Sequence, residues 1–426
     1  KNNIKGAINM KKLKVNNTIL IFSGMIVGMI AGYFFKDIMI NTKFIGDIFL
    51  RLIQMSVGIL IMGSVIESIG SLKMCEFKRI GTKAFICFGI TTTFAIIMGV
   101  FLANILKPGI GINYTSDLTS DIVGSQDSIG TIITNFFPNN IVSSLSNGNT
   151  IQIIVFSLLF GIALSILCEK TKDDKLLKSI KNFNKILIIV IEIVMKAAPL
   201  GIFSLLGWVV GTYGFSVIIP LIKFLFTMAL GTILLLSIYI SFISIYAKVN
   251  PLKLIYKLIR MGIVAFTTTS SAIALPIKME DSENKLGVSK NISNLVNPLG
   301  MSLNSDGLAL FLSIACITIA QFFGIDMTIN QQFIIIIMAI LATLGTVVVP
   351  GGGLVALAIV LPTIGLPIEG VALLSGIDWF SGMFRTVLNV IDDALVSLTI
   401  AVNENEFDRN IFENNFTNIS KKITAI

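Results

Sequence analysis

Arg385 is the only lysine or arginine between Asn291 and Asp408, in a part of the chain that is otherwise apolar enough to lie in a bilayer. A charged side chain at the centre of a membrane-spanning helix costs about 2.5–3.5 kcal/mol on insertion scales. A cation that is kept at that cost marks a functional site by default, and its charge favours an anionic ligand. The sequence therefore predicts a buried anion site around Arg385.

Polar residues near Arg385 share one face of the predicted helix. At about 3.6 residues per turn they project within a stripe of about 80°. In axial order the stripe holds an acid, the cation, an amide and a second acid: Asp378, Arg385, Asn389 and Asp393. Gly382 and Asp392 lie in or beside this stripe. The alternative interpretation is a salt-bridged seam between helices, in which Asp378 or Asp392 neutralises Arg385.

Three segments place helix-breaking residues inside apolar sequence. They are residues 267–272 (TTTSSA) closed by Leu275 and Pro276, residues 297–307 with the motifs NPLG and NSDG, and residues 349–353 (VPGGG). Three glycines after a proline cannot continue a helix stably. Because non-helical backbone at membrane depth survives only inside protein or beside a watery cavity, these segments predict two re-entrant hairpin tips and one unwound helix.

Two of these segments carry side chains that suit ions. Asn304 and Asp306, beside Gly307, offer hard oxygen ligands for a small cation such as sodium, and two polar residues of the Arg385 helix can complete the shell. The same Asn-x-Asp-Gly pattern also fits an ordinary turn. Ser270 and Ser271 can offer hydroxyl and backbone N–H groups to an anion, or they can simply satisfy the backbone of their own turn.

The composition is that of an integral membrane protein. Of 426 residues 54% are hydrophobic and 13% are charged, and apolar runs of about 18 residues recur along the chain. Histidine is absent, which excludes Ser-His-Asp catalysis, His-ligated metals and His proton relays. The four cysteines have neither metal spacing nor a paired framework. With no nucleophile–base pair either, an enzyme is disfavoured and no organic cofactor is expected.

Hydrophobic spans lie near residues 18–35, 45–70, 83–106, 151–168, 186–212 and 215–246. The first span is interpreted as a transmembrane helix and not a secretory signal, because further spans follow it. Lysines and arginines are nearly absent from residues 108–169 and 291–408 and cluster elsewhere. This positive-inside distribution predicts a multi-pass protein of the plasma (inner) membrane with both termini cytoplasmic. It also accounts for the net charge of +8 without a nucleic-acid partner.

Four motifs, in order and spacing, resemble the signatures of the dicarboxylate/amino acid:cation symporters, the glutamate transporter family. They are TSSA with LP at 269–276, NSDG at 304–307, VPGGG at 349–353, and D-x6-RT-x2-N-x3-D at 378–393. The sequence AAPLGIF at 197–203 resembles the fifth-helix motif of the family, so the likeness covers nearly the whole chain. The resemblance implies an all-α polytopic membrane protein with eight transmembrane helices plus two re-entrant helical hairpins, an elevator-type transporter fold and a homotrimer in the lipid bilayer.

The resemblance also implies a division of the chain. Residues 1–76 would hold an N-terminal segment and scaffold helices 1–2, residues 77–107 the transport-domain helix 3, and residues 108–214 scaffold helices 4–5 with an extracellular excursion. Residues 215–404 would form the transport domain of helix 6, hairpin 1, helix 7, hairpin 2 and helix 8. A cytoplasmic tail would follow at 405–426. In this arrangement the second hairpin would be the gate.

Substrate positions carry over residue by residue. Ser271, Thr386 and Asn389 match positions that hold the main carboxylate of the substrate. Arg385 matches the arginine for a second carboxylate, and Asp378 matches the residue that orients it. The full predicted substrate-binding set is Ser270, Ser271, Val349, Gly351, Gly353, Asp378, Gly382, Arg385, Thr386 and Asn389.

The resemblance implies sodium as the coupling ion, at three sites. The first site matches Gly300, Asn304, Asn389 and Asp393. The second, deeper site matches Thr91, Thr92, Asn304 and Asp306, with Phe88 where a tyrosine is common. The third, formed largely by backbone carbonyls, matches Ser302, Thr343, Leu344 and Thr346.

The sequence departs from the family pattern around Arg385. Gly382 stands where amino-acid carriers usually place an aspartate for the substrate ammonium, and a buried ammonium without that partner loses several kcal/mol. The other departures are Leu308 for a threonine, Ser305 for a methionine, Asp392 for a glycine, and Thr269 and Met383 in place of a second arginine. The substrate is predicted to be a carboxylate, with a dicarboxylate and an acidic amino acid both open.

Together these residues predict a secondary active symporter that takes up a small carboxylate with sodium ions by an elevator mechanism. A proton-coupled dicarboxylate symporter is the nearest alternative. The departures at positions 382, 305 and 308 motivate a second class, a channel-like or non-transporting member of the family.

Overall fold

The computed structural model describes residues 17–55, 57–71, 77–110, 134, 137–147, 150–345 and 352–413. Regular structure in these ranges is helical, and their one strand-like contact is an isolated antiparallel bridge between Val288 and Phe407. The prediction of a helical membrane protein is confirmed at this level. The count of eight transmembrane helices remains a prediction.

The first half of the described chain forms a series of helices. They are α1 (Asn17–Phe34), α2 (Lys36–Asn41), α3 (Lys43–Gln54), α4 (Val57–Gly70), α5 (Thr82–Leu106), α6 (Ile141–Ser146), α7 (Thr150–Thr171), α8 (Lys175–Met195) and α9 (Ala198–Tyr213). A π-helical turn at Phe77–Gly81 leads directly into α5.

The second half begins with a 3-10 turn at Phe215–Val217 and continues in the same way. Its helices are α10 (Ile218–Ala247), α11 (Pro251–Thr268), α12 (Ser271–Asn284), α13 (Lys290–Leu303), α14 (Asp306–Phe322), α15 (Ile329–Gly345), α16 (Gly352–Thr363), α17 (Glu369–Ser375) and α18 (Asp378–Asn403). Side-chain caps fix several starts, since Asn250, Ser270 and Ser289 each accept a bond from a backbone N–H of the helix that follows.

Five helical segments of the described chain are long and apolar enough to cross a membrane. They are Arg79–Leu106, Gln152–Thr171, Ile218–Ala247, Lys290–Phe322 and Asp378–Asn403. Their outward faces are apolar as well: on α10 the side chains of Ile222, Phe226 and Ile233 are exposed. In a bilayer such a face meets acyl chains and costs nothing.

Two of the predicted spans are divided in the structure. The predicted span 186–212 is two helices, because α8 ends at Met195 and α9 begins at Ala198. Pro199 lies in the first turn of α9, where its missing N–H and fixed φ are tolerated, and it cannot continue the helix that precedes it. The predicted span 45–70 is likewise divided between α3 and α4.

The helices pack as two groups whose cores meet at α9 and α16, since each of these helices has buried residues in both cores. In the first group α1, α2 and α3 pack against α9, while α4 packs against α7 and α8. In the second group α18 contacts α5, α10, α11, α12, α13, α14 and α16. Contacts of α15 with α4 and α7, and of α17 with α9, connect the two groups.

The predicted hairpins and unwound helix differ in how fully they are described. Helices α11 and α12 pack against each other and are joined by Thr269 and Ser270, with Thr269 at a left-handed φ of 50°. Between α13 and α14 the chain is non-helical at Asn304 and Ser305, as predicted. The tip between α15 and α16, residues 346–351, lies outside the described residues.

The chain after α18 packs back onto the second group. Glu404 pairs with Lys83 (Nζ–Oε1 2.5 Å) and Arg79 (Nε–Oε2 2.8 Å) at the start of α5. The hydrogen bond from Lys83 lowers the pKa of Glu404, which keeps its carboxylate ionised at neutral pH. Further on, Asp408 N donates to Gly287 O at 2.7 Å, and Phe412 is fully buried.

Replacement of Phe412 by alanine is expected to destabilise this docked segment. Large-to-small substitution of a buried phenylalanine costs about 3–5 kcal/mol. The midpoint of heat-induced loss of monodisperse protein in detergent should therefore fall for Phe412→Ala. Ile411→Ala is the matched control, because Ile411 is 37% exposed. Equal midpoints for the two variants would contradict the docking of this segment.

Candidate functional site

The Arg385 guanidinium is held at the N-terminal end of α18 by Asp378. Arg385 Nη2 lies 2.7 Å from Asp378 Oδ1 and 3.3 Å from Asp378 O. Its Cζ lies 4.5 Å from the centroid of the Phe311 ring, a cation–π contact from α14. Asp378 is therefore the acid that pairs with Arg385, and Asp392 is not.

The other terminal nitrogen of Arg385 has no hydrogen-bond partner among the described residues. Nη1 is buried and makes no hydrogen bond to any described residue. It lies directly against Gly353 at the start of α16, where a Cβ would overlap it. A buried guanidinium N–H without an acceptor is costly, so the arrangement suits a ligand that brings one.

The other predicted substrate residues are close in chain or in packing, but most are engaged locally. Ser270 caps α12 by accepting from Ile273 N, and the neighbouring Ser271 is buried. Thr386 donates to Gly382 O at 2.8 Å, and Asn389 Oδ1 accepts from Gly307 N at 2.7 Å. Helices α11, α12 and α14 bring these groups to the same helix, α18. Val349 and Gly351 lie outside the described residues.

Asn304, at the break between α13 and α14, connects three helices through its side chain. Its Nδ2 donates to Asp392 Oδ2 at 2.8 Å and to Asp393 Oδ1 at 3.0 Å on α18. Its Oδ1 lies 3.2 Å from Thr92 Oγ1 on α5. The non-helical backbone at this point is what lets one amide reach both neighbours.

Asp306 forms the second part of this buried network. Thr92 Oγ1 donates to Asp306 Oδ1 at 2.7 Å. The Tyr239 hydroxyl of α10 lies 3.0 Å from Asp306 Oδ2 and 2.9 Å from Thr91 O. Thr91 Oγ1 in turn donates to Asp392 Oδ2 at 3.1 Å. The residues predicted for the deeper sodium site, Thr91, Thr92, Asn304 and Asp306, are thus brought together.

Tyr239 was missed by sequence reasoning. It lies within a long apolar helix, and an amphipathic tyrosine in such a helix gives no signal that its hydroxyl meets a carboxylate. Phe88, predicted at this place, is buried and lies against the Gly300 position instead.

Lys278 was also missed by sequence reasoning, and its side chain pairs with Asp393. Its ammonium lies 2.5 Å from Asp393 Oδ2 and donates to Asn297 O at 3.1 Å. Both side chains are fully buried. The signal in the sequence was a lysine two residues after Pro276, inside the second arm of the first hairpin, where a solvated lysine would be out of place.

The first predicted sodium site is therefore partly occupied by side chains of the chain itself. Gly300 packs against Asp393 so closely that a Cβ would overlap Oδ1. Asn304 reaches Asp393 directly, whereas the Asn389 oxygen accepts from Gly307 N.

Of the residues predicted for the third sodium site, the structure describes the side chains of Ser302 and Thr343, and each bonds within its own helix. Ser302 donates to Pro298 O and Thr343 donates to Ile340 O. The side chain of Leu344 is not described, and Thr346 lies outside the described residues.

The buried charges around Asn304 do not balance. Asp306, Asp392 and Asp393 are all fully buried, and among described residues Lys278 is the one cation paired with any of them. With all three acids ionised, three negative charges against one positive charge leave two negative charges. Charge buried in this way must be neutralised by a bound cation or by a proton. No three acidic, His or Cys side chains in the described chain group closely enough to hold a metal by themselves, so amide, hydroxyl or carbonyl oxygens would have to contribute.

Comparison with known proteins identifies relatives along nearly the whole chain. The model of the sodium:dicarboxylate symporter family matches residues 18–402. The chain is 32% identical to a C4-dicarboxylate transport protein of Bacillus subtilis, covering 93% of this chain and 96% of the relative. It is 33% identical to a proton/glutamate-aspartate symporter of the same organism, with the same coverage. It is 35% identical to a proton/sodium-glutamate symport protein of Geobacillus stearothermophilus, covering 91% of this chain and 94% of the relative.

Replacement of Asn304 by alanine is expected to destabilise the protein more than the same change at Asn297. Both side chains are buried, but Asn304 Nδ2 donates to two carboxylates while Asn297 Nδ2 donates to Ser293 Oγ. Hydrogen bonds to charged groups contribute about 1.5–3 kcal/mol each, roughly twice those between neutral groups. Thermal unfolding in detergent with choline in place of sodium should show the lower midpoint for Asn304→Ala. Similar midpoints would mean that Asn304 does not hold the two acids.

Proposed function

This chain belongs to the sodium:dicarboxylate symporter family, whose members are transporters and not enzymes, and we propose that it takes up a small dicarboxylate together with sodium ions. The chain is a membrane symporter for a carboxylate. The choice of substrate, the coupling ion and the mechanism are our proposals.

The observation that carries the substrate proposal is the half-paired guanidinium of Arg385. One terminal nitrogen is bound by Asp378 and the other, Nη1, is buried without an acceptor among the described residues. A carboxylate oxygen at Nη1 would form a charge-assisted hydrogen bond in a site that excludes water. The stack on Phe311 fixes the plane of the guanidinium, which favours a ligand that approaches from one direction.

A dicarboxylate is favoured over an acidic amino acid because of Gly382. A Cβ at this position would lie 3.3 Å from Arg385 Nη2 and 3.9 Å from Thr269, so the position faces the same space as the guanidinium. Glycine supplies no acid there to pair with a substrate ammonium. Asp378 is already bound to Arg385 and is not available for that purpose. Relatives are named for each substrate class, and we expect dicarboxylate carriers and amino-acid carriers to differ at the position that corresponds to Gly382.

Sodium coupling is supported by the oxygens around Asp306. Thr91, Thr92 and Asn304 surround this buried carboxylate with hydroxyl and amide groups suited to a small hard cation. Proton coupling is the second candidate. The same buried carboxylates can carry protons, and one relative is named a proton/glutamate-aspartate symporter.

We further propose an elevator mechanism in a homotrimer of the plasma membrane, with both termini cytoplasmic. The first group of helices, α1–α4 with α7–α9, would be the scaffold. The second group, centred on α18, would carry the substrate, with the second hairpin, around Pro350–Gly353, as the gate. The packing supports this division, because α1–α3 pack on α9 whereas most helices of the second group pack on α18.

Uptake by the purified protein in proteoliposomes tests the function. Labelled succinate and labelled aspartate are compared under an inward sodium gradient, a choline control, and an inward proton gradient without sodium. We expect sodium-driven uptake of succinate in excess of aspartate. Uptake that follows the proton gradient and ignores sodium would replace sodium with protons in the proposal. Binding of succinate with no uptake under any gradient would support the non-transporting alternative.

Replacement of Gly353 by alanine is expected to weaken substrate binding by displacing the Arg385 guanidinium. The new Cβ would overlap Nη1, and the pairing with Asp378 and the stack on Phe311 limit how far the guanidinium can move. Loss of one charge-assisted bond predicts a roughly 10- to 100-fold higher Kd for succinate. Isothermal titration calorimetry in sodium buffer measures this Kd.

Gly89→Ala is the matched control for this substitution. Gly89 is also helical, but a Cβ there meets open space, so its Kd should equal that of the unaltered protein. An unchanged Kd for Gly353→Ala would place the substrate away from Arg385 Nη1.

A further inference from the structure

The Lys278–Asp393 pair is the most deeply buried ion pair among the described residues. Both side chains have no exposed surface, and the two residues are 115 positions apart in the chain. Lys278 comes from α12, the second arm of the first hairpin, and Asp393 comes from α18. Moving both charges out of water costs several kcal/mol of free energy. Replacing such a buried ion pair by well-packed apolar residues is often neutral for stability or increases it. The retention of a charged lysine here therefore calls for a functional explanation.

Every oxygen of the Asp393 carboxylate is already engaged by the chain. Oδ2 receives the Lys278 ammonium and Oδ1 receives Asn304 Nδ2. The Lys278 ammonium has a second acceptor in Asn297 O, a carbonyl in the middle of α13 just before Pro298. An ammonium group beside a carboxylate and a carbonyl oxygen has the position and the charge of a bound monovalent cation.

We propose that Lys278 is a tethered cation that takes the place of one coupling ion at Asp393, so that the ion carried with the substrate is bound instead at Asp392 and Asp306. This inference rests on the proposed function and makes it more specific. It assigns the site formed by Gly300, Asn304 and Asp393 to the lysine and leaves the site around Asp306 for the transported cation.

Asp392 is the residue that makes this displacement possible. Its Oδ2 accepts from Thr91 and Asn304, whereas its Oδ1 is buried and accepts no bond from the described residues. Asp392 and Asp393 are neighbours on α18, and Asn304 bonds to both. The Lys278 ammonium therefore neutralises Asp393. The carboxylate oxygen without a hydrogen-bond partner among the described residues belongs to the neighbouring acid, Asp392.

The charge count gives the quantitative form of the proposal. Three buried carboxylates and one lysine leave two negative charges to be neutralised by transported cations. Without the lysine there would be three. Removal of the Lys278 charge should therefore add one cation to the number that the protein binds, whereas removal of the Asp392 charge should subtract one.

Sodium titration of the full-length purified protein, without substrate, tests this directly. Thermal stabilisation is measured against sodium concentration at constant ionic strength with choline, for the unaltered protein, Lys278→Met and Asp392→Asn. Since ligands stabilise the state that binds them, the steepness of the curve reports the number of sodium ions bound. We expect the Hill coefficient to rise by about one for Lys278→Met and to fall by about one for Asp392→Asn.

A double variant keeps the proposal testable if Lys278→Met does not fold. Lys278→Met with Asp393→Asn removes both charges of the pair, so no buried charge is left without a partner. We expect its Hill coefficient to equal that of the unaltered protein. A coefficient lower by one would show Asp393 to be a sodium ligand and would overturn the proposal. Loss of stability with an unchanged coefficient in Lys278→Met would overturn it as well, because the pair would then be structural only.

These outcomes are separate from failure of the proposed function. If the unaltered protein ignores sodium, sodium coupling is wrong, yet Lys278→Met should still gain a response to one sodium ion. If the unaltered protein responds to sodium and Lys278→Met shows the same response, sodium coupling stands and the tethered cation is wrong.

Discussion

The burial of ionised carboxylates is the constraint on which the rest of this structure depends. Asp306, Asp392 and Asp393 are enclosed in the core around α18, where an uncompensated charge costs several kcal/mol even after the surroundings relax. Three of the helices that pack near them contribute a compensating group. Helix α5 gives the hydroxyls of Thr91 and Thr92, α10 gives Tyr239, and α12 gives Lys278. The packing of these helices therefore also lowers the free-energy cost of burying the three carboxylates.

The face of α18 separates two kinds of binding group along its length. Near its start the charges of Arg385 and Asp378 cancel, and one guanidinium nitrogen is left without an acceptor among the described residues. Two turns further on the net charge is negative, because three acids meet one lysine. Asn389 lies between the two regions and accepts from Gly307 N, at the start of the helix that also supplies Phe311. An anion bound near Arg385 and a cation bound near the three acids would attract each other, so that binding of one favours binding of the other. This coupling is a direct electrostatic basis for symport.

The sequence predicted the parts of this arrangement that are local in the chain. The polar stripe of α18 and the break at Asn304 follow from spacing and helix-breaking residues within about two turns of one another. Spacing left Asp378 and Asp392 both open as partners of Arg385, and the family resemblance pointed to Asp378. Lys278 and Tyr239 could not be found in this way. Their partners are 115 and 67 positions distant, and each looks like an ordinary residue of its own helix. The division of the predicted span 186–212 was missed for a smaller reason: apolar periodicity continues across the break, and only Pro199 marks it.

The distance in sequence between Lys278 and Asp393 has a consequence for biosynthesis. At roughly 5–20 residues per second, α18 leaves the ribosome on the order of ten seconds after α12. During that interval Lys278 and Asp306 are already made, while Asp392 and Asp393 are not. The buried lysine of the first hairpin therefore has no counter-charge in that interval, so the final burial of this hairpin has to wait for the last long helix. The insertion of α18 is then the step that turns a set of separate helices into a closed unit.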